Sequence, residues 1–170
     1  MRIYLIGFMG SGKSHWGRLL SAGTGWPCYD LDQLIQEQEG MTIADIFSKK
    51  GEEYFRMLER EVLVNLSQTR NDMILSCGGG TPCFLNNIAF MKQQGKVVWL
   101  DTATPVLLKR LLKEKSHRPL IRDISDSDLE AFISRKLRDR KIYYEQADLR
   151  LPEETLTLQE MKKALFDDGK

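Results

Sequence analysis

The 170-residue sequence predicts an α/β fold in one domain, with a parallel sheet wrapped by helices. Three observations carry that expectation. Short apolar runs alternate with helical patterns from end to end, the signature of parallel strands joined by crossover helices. The first apolar run ends in a Gly-rich turn that opens a helix. No internal repeat, low-complexity tract or Pro/Gly/Ser-rich linker interrupts the alternation, and the length is that of a single domain.

The elements follow in order. Residues 3–6 form an apolar β-run, and a helix follows the Gly-rich turn over 13–22. Residues 29–31 read as a second short strand, followed by a helix over 33–39. Thr42, with Asp45 three residues on, caps a short helix carrying Ile43, Ile46 and Phe47. A longer helix over 52–68 sets Phe55, Leu58, Val62 and Leu66 at helical spacing. Residues 73–77 are an apolar strand running into Gly78-Gly79-Gly80, and 96–100 are another. Thr104-Pro105 reads as a cap followed by a first turn, opening a helix over 105–115. A loop over 116–125 leads to a helix over 125–144, and 149–151 are the last strand. Thr157-Leu158-Gln159-Glu160 is a capping box for a C-terminal helix. In such a fold ligands gather at the carboxyl ends of the strands.

Composition narrows the function classes. Lys plus Arg number 25 against 24 Asp plus Glu, a net charge of +1, which offers no general case for nucleic acid as a partner. No stretch approaches the roughly 18 apolar residues of a membrane span, so no membrane partner is expected. The apolar start is too short for a signal peptide. Three cysteines (Cys28, Cys77, Cys83) without a CxxC pair read as reduced thiols, and a cytoplasmic protein is expected.

Gly7-Phe8-Met9-Gly10-Ser11-Gly12-Lys13-Ser14 matches GxxxxGK[ST] in full. Gly7 and Gly12 allow backbone torsions and approaches that a Cβ would block. Exposed N–H groups and the helix N-terminus make an anion cradle, Lys13 reaches the β- and γ-phosphates, and the Ser14 hydroxyl can ligate Mg²⁺. Neither a DxxG nor an NKxD segment accompanies the loop, which argues against a GTPase switch. A small kinase needs a positioned carboxylate and a mobile basic cover. Asp30-Leu31-Asp32, at the end of the second strand, supplies two carboxylates that strand alternation places near one pocket, one for the metal's water shell and one for an attacking hydroxyl. Residues 109–122 hold six Lys/Arg against Glu114 alone, and Pro119 stiffens the backbone beside Arg118. An Arg there can neutralise charge on the transferred phosphoryl.

With these residues in place, the chain resembles the shikimate kinase family over nearly its whole length. The phosphate loop, Asp30-x-Asp32, Ile43-Ala44-Asp45-Ile46-Phe47 and Phe55-Arg56 with Glu59 recur in order. Gly78-Gly79-Gly80, Arg118-Pro119-Leu120, and Arg140 with Tyr143-Tyr144 follow them. The resemblance implies a three-layer α/β/α fold like that of nucleoside monophosphate kinases, with a central five-stranded parallel sheet. A lid is implied at about 112–125 and a substrate-binding helical region at about 32–60. It also implies ATP as co-substrate, Mg²⁺ as cofactor, and phosphorylation of the 3-hydroxyl of shikimate by a monomer.

The residue roles it implies are these. Gly10, Ser11, Gly12, Lys13, Ser14, His15, Arg110 and Arg118 bind nucleotide, with Arg110 against adenine and His15 only adjacent to the ligand. Asp32, Arg56, Gly78, Gly79, Gly80 and Arg140 bind shikimate. Lys13, Asp32 and Arg118 are catalytic, and Ser14 and Asp30 hold the metal, Asp30 through water. The chemistry agrees, since a substrate with one carboxylate and several hydroxyls calls for Arg forks and an Asp acceptor. His15-Trp16 and Thr81-Pro82-Cys83 depart from the family pattern; Trp16 is expected to pack in the core. No Asp ends the strand over 73–77, where Ser76 stands as a metal-water contact. A gluconate kinase and a non-catalytic nucleotide-binding module are the alternatives.

Overall fold

The computed structural model describes residues 1–167. Five parallel strands, β1 (Arg2–Ile6), β2 (Cys28–Asp30), β3 (Met73–Ser76), β4 (Lys96–Asp101) and β5 (Leu149–Pro152), form one sheet in the order β2-β3-β1-β4-β5. The helices are α1 (Lys13–Thr24), α2 (Leu31–Glu39), α3 (Ile43–Thr69), α4 (Asn87–Gln94), α5 (Thr104–Glu114), α6 (Pro119–Arg122), α7 (Asp126–Tyr144) and α8 (Leu158–Phe166).

The central strand β1 is buried on both faces, so its side chains alternate between two cores. Ile3 and Leu5 pack with Trp16 and Leu20 of α1 and with Met161 and Leu165 of α8. Tyr4 and Ile6 face Ile35 of α2, Leu63 of α3, Met91 of α4 and Tyr144 of α7. This is the three-layer arrangement expected from the alternation. A third, smaller core lies beside the second and meets it at Leu137. Phe8 packs with Leu107 and Leu111 of α5, Ile121 of α6, and Leu129 and Ile133 of α7. Ile121 is fully buried, and burying such a side chain stabilises by about 1.5–3 kcal/mol. Lys115 pairs with Asp126 across the same segment at 2.7 Å.

Several expectations shift in detail. The two helices expected over 42–68 form one run, α3, broken at Gly51, whose φ of 87° lies in the left-handed region. The second strand stops at Asp30, and Leu31 is a fully buried residue of α2. Ala103, not Thr104, caps α5, which places Thr104-Pro105 in the first turn. Within the loop expected over 116–125 lie a 3-10 turn (Lys115–His117) and α6. Helix α4 has no counterpart among the expected elements; its cap Asn86 has φ 55° and makes no side-chain cap bond. Thr42, Ser125 and Thr157 all cap their helices through side-chain oxygens.

Candidate active site

Strand β1 lies between β3 and β4, and the loop it feeds emerges where the crossovers turn in opposite directions, the usual position of a ligand cleft. Gly12 caps α1 with φ 83°. A Cβ on Gly7 would lie 2.7 Å from the Leu100 carbonyl oxygen, so only glycine lets the loop pass. Lys13 Nζ donates to the carbonyls of Gly7 (2.9 Å) and Phe8 (2.8 Å). Burial pulls its pKa down to about 8, against the opposing pull of Asp32. A bound polyphosphate would restore the charge that burial disfavours.

Two cavities open along the carboxyl edge of the sheet. One, of about 500 Å³, is walled by Gly12, Lys13, Ser14, Asp30, Arg110 and Arg118, with Gly10 and His15 also lining it. The second, of about 410 Å³, is walled by Phe47, Phe55, Arg56, Glu59, Gly80 and Arg140. Asp32, Gly78, Gly79 and Arg118 line both, so Asp32 stands where a nucleotide and an acceptor would meet.

The two carboxylates reach the site by a route other than strand alternation. Asp30 ends β2 and caps α2: its Oδ1 accepts from the Gln33 N–H (3.2 Å), and its Oδ2 accepts from the Ser14 hydroxyl (2.9 Å). One side chain is both helix cap and part of the phosphate site. Asp32 sits in the first turn of α2. Burial, then the neighbouring Asp30 and Glu59 carboxylates, lifts its pKa to about 6, against the pull of Lys13 and Arg56. Carboxyls shifted toward neutrality in a cleft are suited to proton acceptance.

Ser14, Asp30 and Ser76, whose hydroxyl is 3.4 Å from that of Ser14, cluster at the loop. These are hard oxygen donors, few in number, and fit Mg²⁺, which keeps several waters and shares substrate phosphates. No cluster of three His, Cys, Asp or Glu able to hold a metal occurs among the described residues.

The second cavity is built for an anion. Arg56 donates to Glu59 (2.8 Å), approaches Glu52 (3.5 Å) and lies over the Phe84 ring at 4.0 Å. Its Nε and the Nη1 of Arg140 are buried without a hydrogen-bond partner. Such groups are costly unless a ligand pairs them. The glycine run makes room for both: a Cβ would fall 2.9 Å from Arg140 Nη1 at Gly79 and 2.8 Å from Arg56 Nη2 at Gly80. At Gly78 it would meet Thr81, Asp32 and Glu59 within 3.0–3.2 Å. Tyr144 Oη donates to the Gly79 carbonyl (2.6 Å) and fixes the run. Burial also holds the Tyr144 phenol well above its ordinary value.

Other expected residues take less obvious positions. Arg118 Nε donates to Glu114 Oε2 (2.7 Å), so the guanidinium folds back along its own segment while still lining both cavities. Arg110 Nη1 donates to the Gly10 carbonyl (3.0 Å). His15 is exposed, edge-on to Trp16. Ser11 is fully buried and its hydroxyl is unpartnered. Trp16 is buried as expected, yet its indole also donates to Glu153 (3.3 Å). Glu153, Tyr144 and the pair Glu59–Thr81 (2.6 Å) are site residues to which the sequence assigned no role. Glu59 and Tyr144 stood in the motifs that carry the resemblance, without a role; Glu153 offered no signal.

A phosphate loop meeting a carboxylate and an arginine-lined acceptor cavity beneath a basic segment defines a P-loop kinase for small molecules. A family model described as shikimate kinase matches residues 9–167. The chain belongs to the shikimate kinase family. It is 41% identical to the shikimate kinase of Aquifex aeolicus over 98% of this chain and 95% of that one. The crystal structure of the Bacteroides thetaiotaomicron shikimate kinase superposes with a TM-score of 0.88 at 34% identity, covering 97% and 94% of the two chains. That of the Acinetobacter baumannii enzyme in complex with shikimate superposes with 0.87 at 33%, covering 99% and 95%. A gluconokinase from Sinorhizobium meliloti shares only the fold, with a TM-score of 0.52 at 18% identity over 96% and 89% of the chains.

Proposed function

We propose that the chain transfers the γ-phosphoryl of ATP to the 3-hydroxyl of shikimate, with each step assigned to residues of the two cavities. The observation that carries this reading is the pair of buried, unpartnered guanidinium nitrogens of Arg56 and Arg140, in a cavity that shares Asp32 with the phosphate site. A carboxylate substrate satisfies both forks, and its hydroxyls then lie toward Asp32 and the glycine run Gly78–Gly80.

The nucleotide phosphates occupy the loop from Gly10 to Ser14, with Arg110 at the base and His15 beside the ligand. The Ser14 hydroxyl would hold Mg²⁺ directly and Asp30 through water, and the ion would supply neutralisation of phosphate charge. Asp32 accepts the hydrogen bond of the 3-hydroxyl and takes its proton as the oxygen bonds to the γ-phosphorus and the bond to the ADP oxygen breaks. Lys13 turns from the Gly7 and Phe8 carbonyls to the phosphates. Arg118 leaves Glu114 as the lid over about 112–125 closes, and neutralises charge on the transferred group. The region over about 32–60 carries the acceptor side, and 1–170 act as one domain.

The same proposal takes the enzyme as a monomer in the cytoplasm, where its three free thiols stay reduced. A coupled assay with Mg-ATP, offered shikimate and gluconate separately, tests the assignment. Turnover of shikimate is expected, and phosphorylation of gluconate alone would overturn it.

A further inference from the structure

The roles above leave out Glu153, a buried acid at the nucleotide cavity. It opens the 3-10 turn Glu153–Thr155 after β5, and its side chain is 8% exposed. Buried carboxylates are retained only when paired, and this one is held on three sides. Oε2 lies 2.9 Å from Arg110 Nη2. Oε1 accepts from the Trp16 indole. A Cβ on Gly12 would come within 3.0 Å of Oε1, so the carboxylate lies against the phosphate loop itself.

The geometry around Arg110 gives these contacts a purpose. Arg110 projects from α5, and on an exposed helix face such a side chain would sample many rotamers. Here one guanidinium nitrogen is tied to the Gly10 carbonyl and another to Glu153. Both tethers therefore end on or beside the loop that cradles phosphates. The Glu153 tether is ionic: Oε2 makes no directed hydrogen bond despite its distance from the guanidinium. Glu153 also lines the cavity, but only 8% of its side chain is exposed and its carboxylate is taken up by Arg110 and Trp16.

We propose that Glu153 is a positioning residue for the nucleotide, fixing Arg110 in register with the phosphate loop through its ion pair while Trp16 fixes Glu153. The inference rests on the reading that Arg110 contacts the nucleotide. Its consequence is that affinity for ATP depends on a charge that never touches ATP.

The test is a cycle of Glu153→Gln, Arg110→Ala and the double variant, with KM for ATP, KM for shikimate and kcat measured for each. E153Q keeps the shape and the acceptor for Trp16 but removes the charge. It is expected to raise KM for ATP roughly three- to tenfold, the worth of a charge-assisted contact. The kcat and the KM for shikimate should stay within about twofold. R110A should raise KM for ATP at least as much, and the double variant no further, since Glu153 acts through Arg110. A merely structural acid would instead lower the melting temperature and add its effect to that of R110A. An unchanged KM for ATP in E153Q, with R110A impaired, overturns the positioning role and leaves the Arg110 reading standing. An unchanged KM in R110A overturns both. If E153Q does not fold, Glu153→Asp, which keeps the charge but cannot span both partners, is entered in the same cycle with the same expectations.

Discussion

Replacing Asp32 by Asn separates what this residue does for the reaction from what it does to the fold. Burial and the Asp30 and Glu59 carboxylates hold its pKa at about 6, against an ordinary 3.8. The unfolded chain returns to the ordinary value, so the folded state is penalised at neutral pH. At about 1.4 kcal/mol for each tenfold change in proton affinity, the penalty approaches 3 kcal/mol. Its sign is fixed by the raised value: the penalty is absent below about pH 4, grows as pH rises, and is complete above about 6. Asn carries no charge, and its own desolvation offsets part of the gain. Asp32→Asn is therefore expected to stabilise the protein by about 1–3 kcal/mol at pH 7, or about 2–10 °C for a chain of this size. Turnover should fall by about 10²- to 10⁴-fold. Thermal unfolding of both proteins at pH 7 and pH 4.5, beside a coupled turnover assay at pH 7, reads every part. A lower melting temperature for the variant at pH 7, an equal gain at both pH values, or retained turnover refutes the reasoning.

The wild-type kcat/KM for shikimate should decline about tenfold per pH unit below about 6, where Asp32 takes up a proton; a limb near pH 4 in the rate profile would contradict this. Arg140→Lys keeps the charge but loses the fork, and should raise KM for shikimate about 10-fold or more in steady-state assays while KM for ATP stays constant. Gly79→Ala places a methyl 2.9 Å from Arg140 Nη1 and is expected to raise the same constant through displacement of that guanidinium, as shikimate titration would show. Tyr144→Phe leaves the Gly79 carbonyl without its donor and should cost about 1–3 kcal/mol in denaturant unfolding.

The legible part of this molecule was its local chemistry. The phosphate loop, the five strands and the helices capped by Thr42, Ser125 and Thr157 are written in contiguous residues, and each forms within a residue or two of its pattern. Asp30 and Asp32 were legible as a pair, but their geometry was not, because a helix cap and a first turn place them where strand alternation was expected to. The remainder depends on contacts between distant segments. Glu153 has no role until Trp16, 137 residues away, is brought against it. Tyr144 gains meaning only from Gly79, 65 residues back. Helix α4 lacks a cap bond and Thr104 was passed over for Ala103, since tertiary packing sets such boundaries as much as propensity does.

The small core around Phe8 has a consequence for inhibition. Phe8 belongs to the phosphate loop by sequence, shares a core with Leu111 and Ile121 by packing, and has its ring 5.4 Å from the Arg140 guanidinium. Movement at any one of the three must be felt at the others, because a packed core shifts as a unit. A compound wedged between Leu111 and Ile121 would thus disturb both substrates while resembling neither. Its inhibition would be noncompetitive toward ATP and toward shikimate alike.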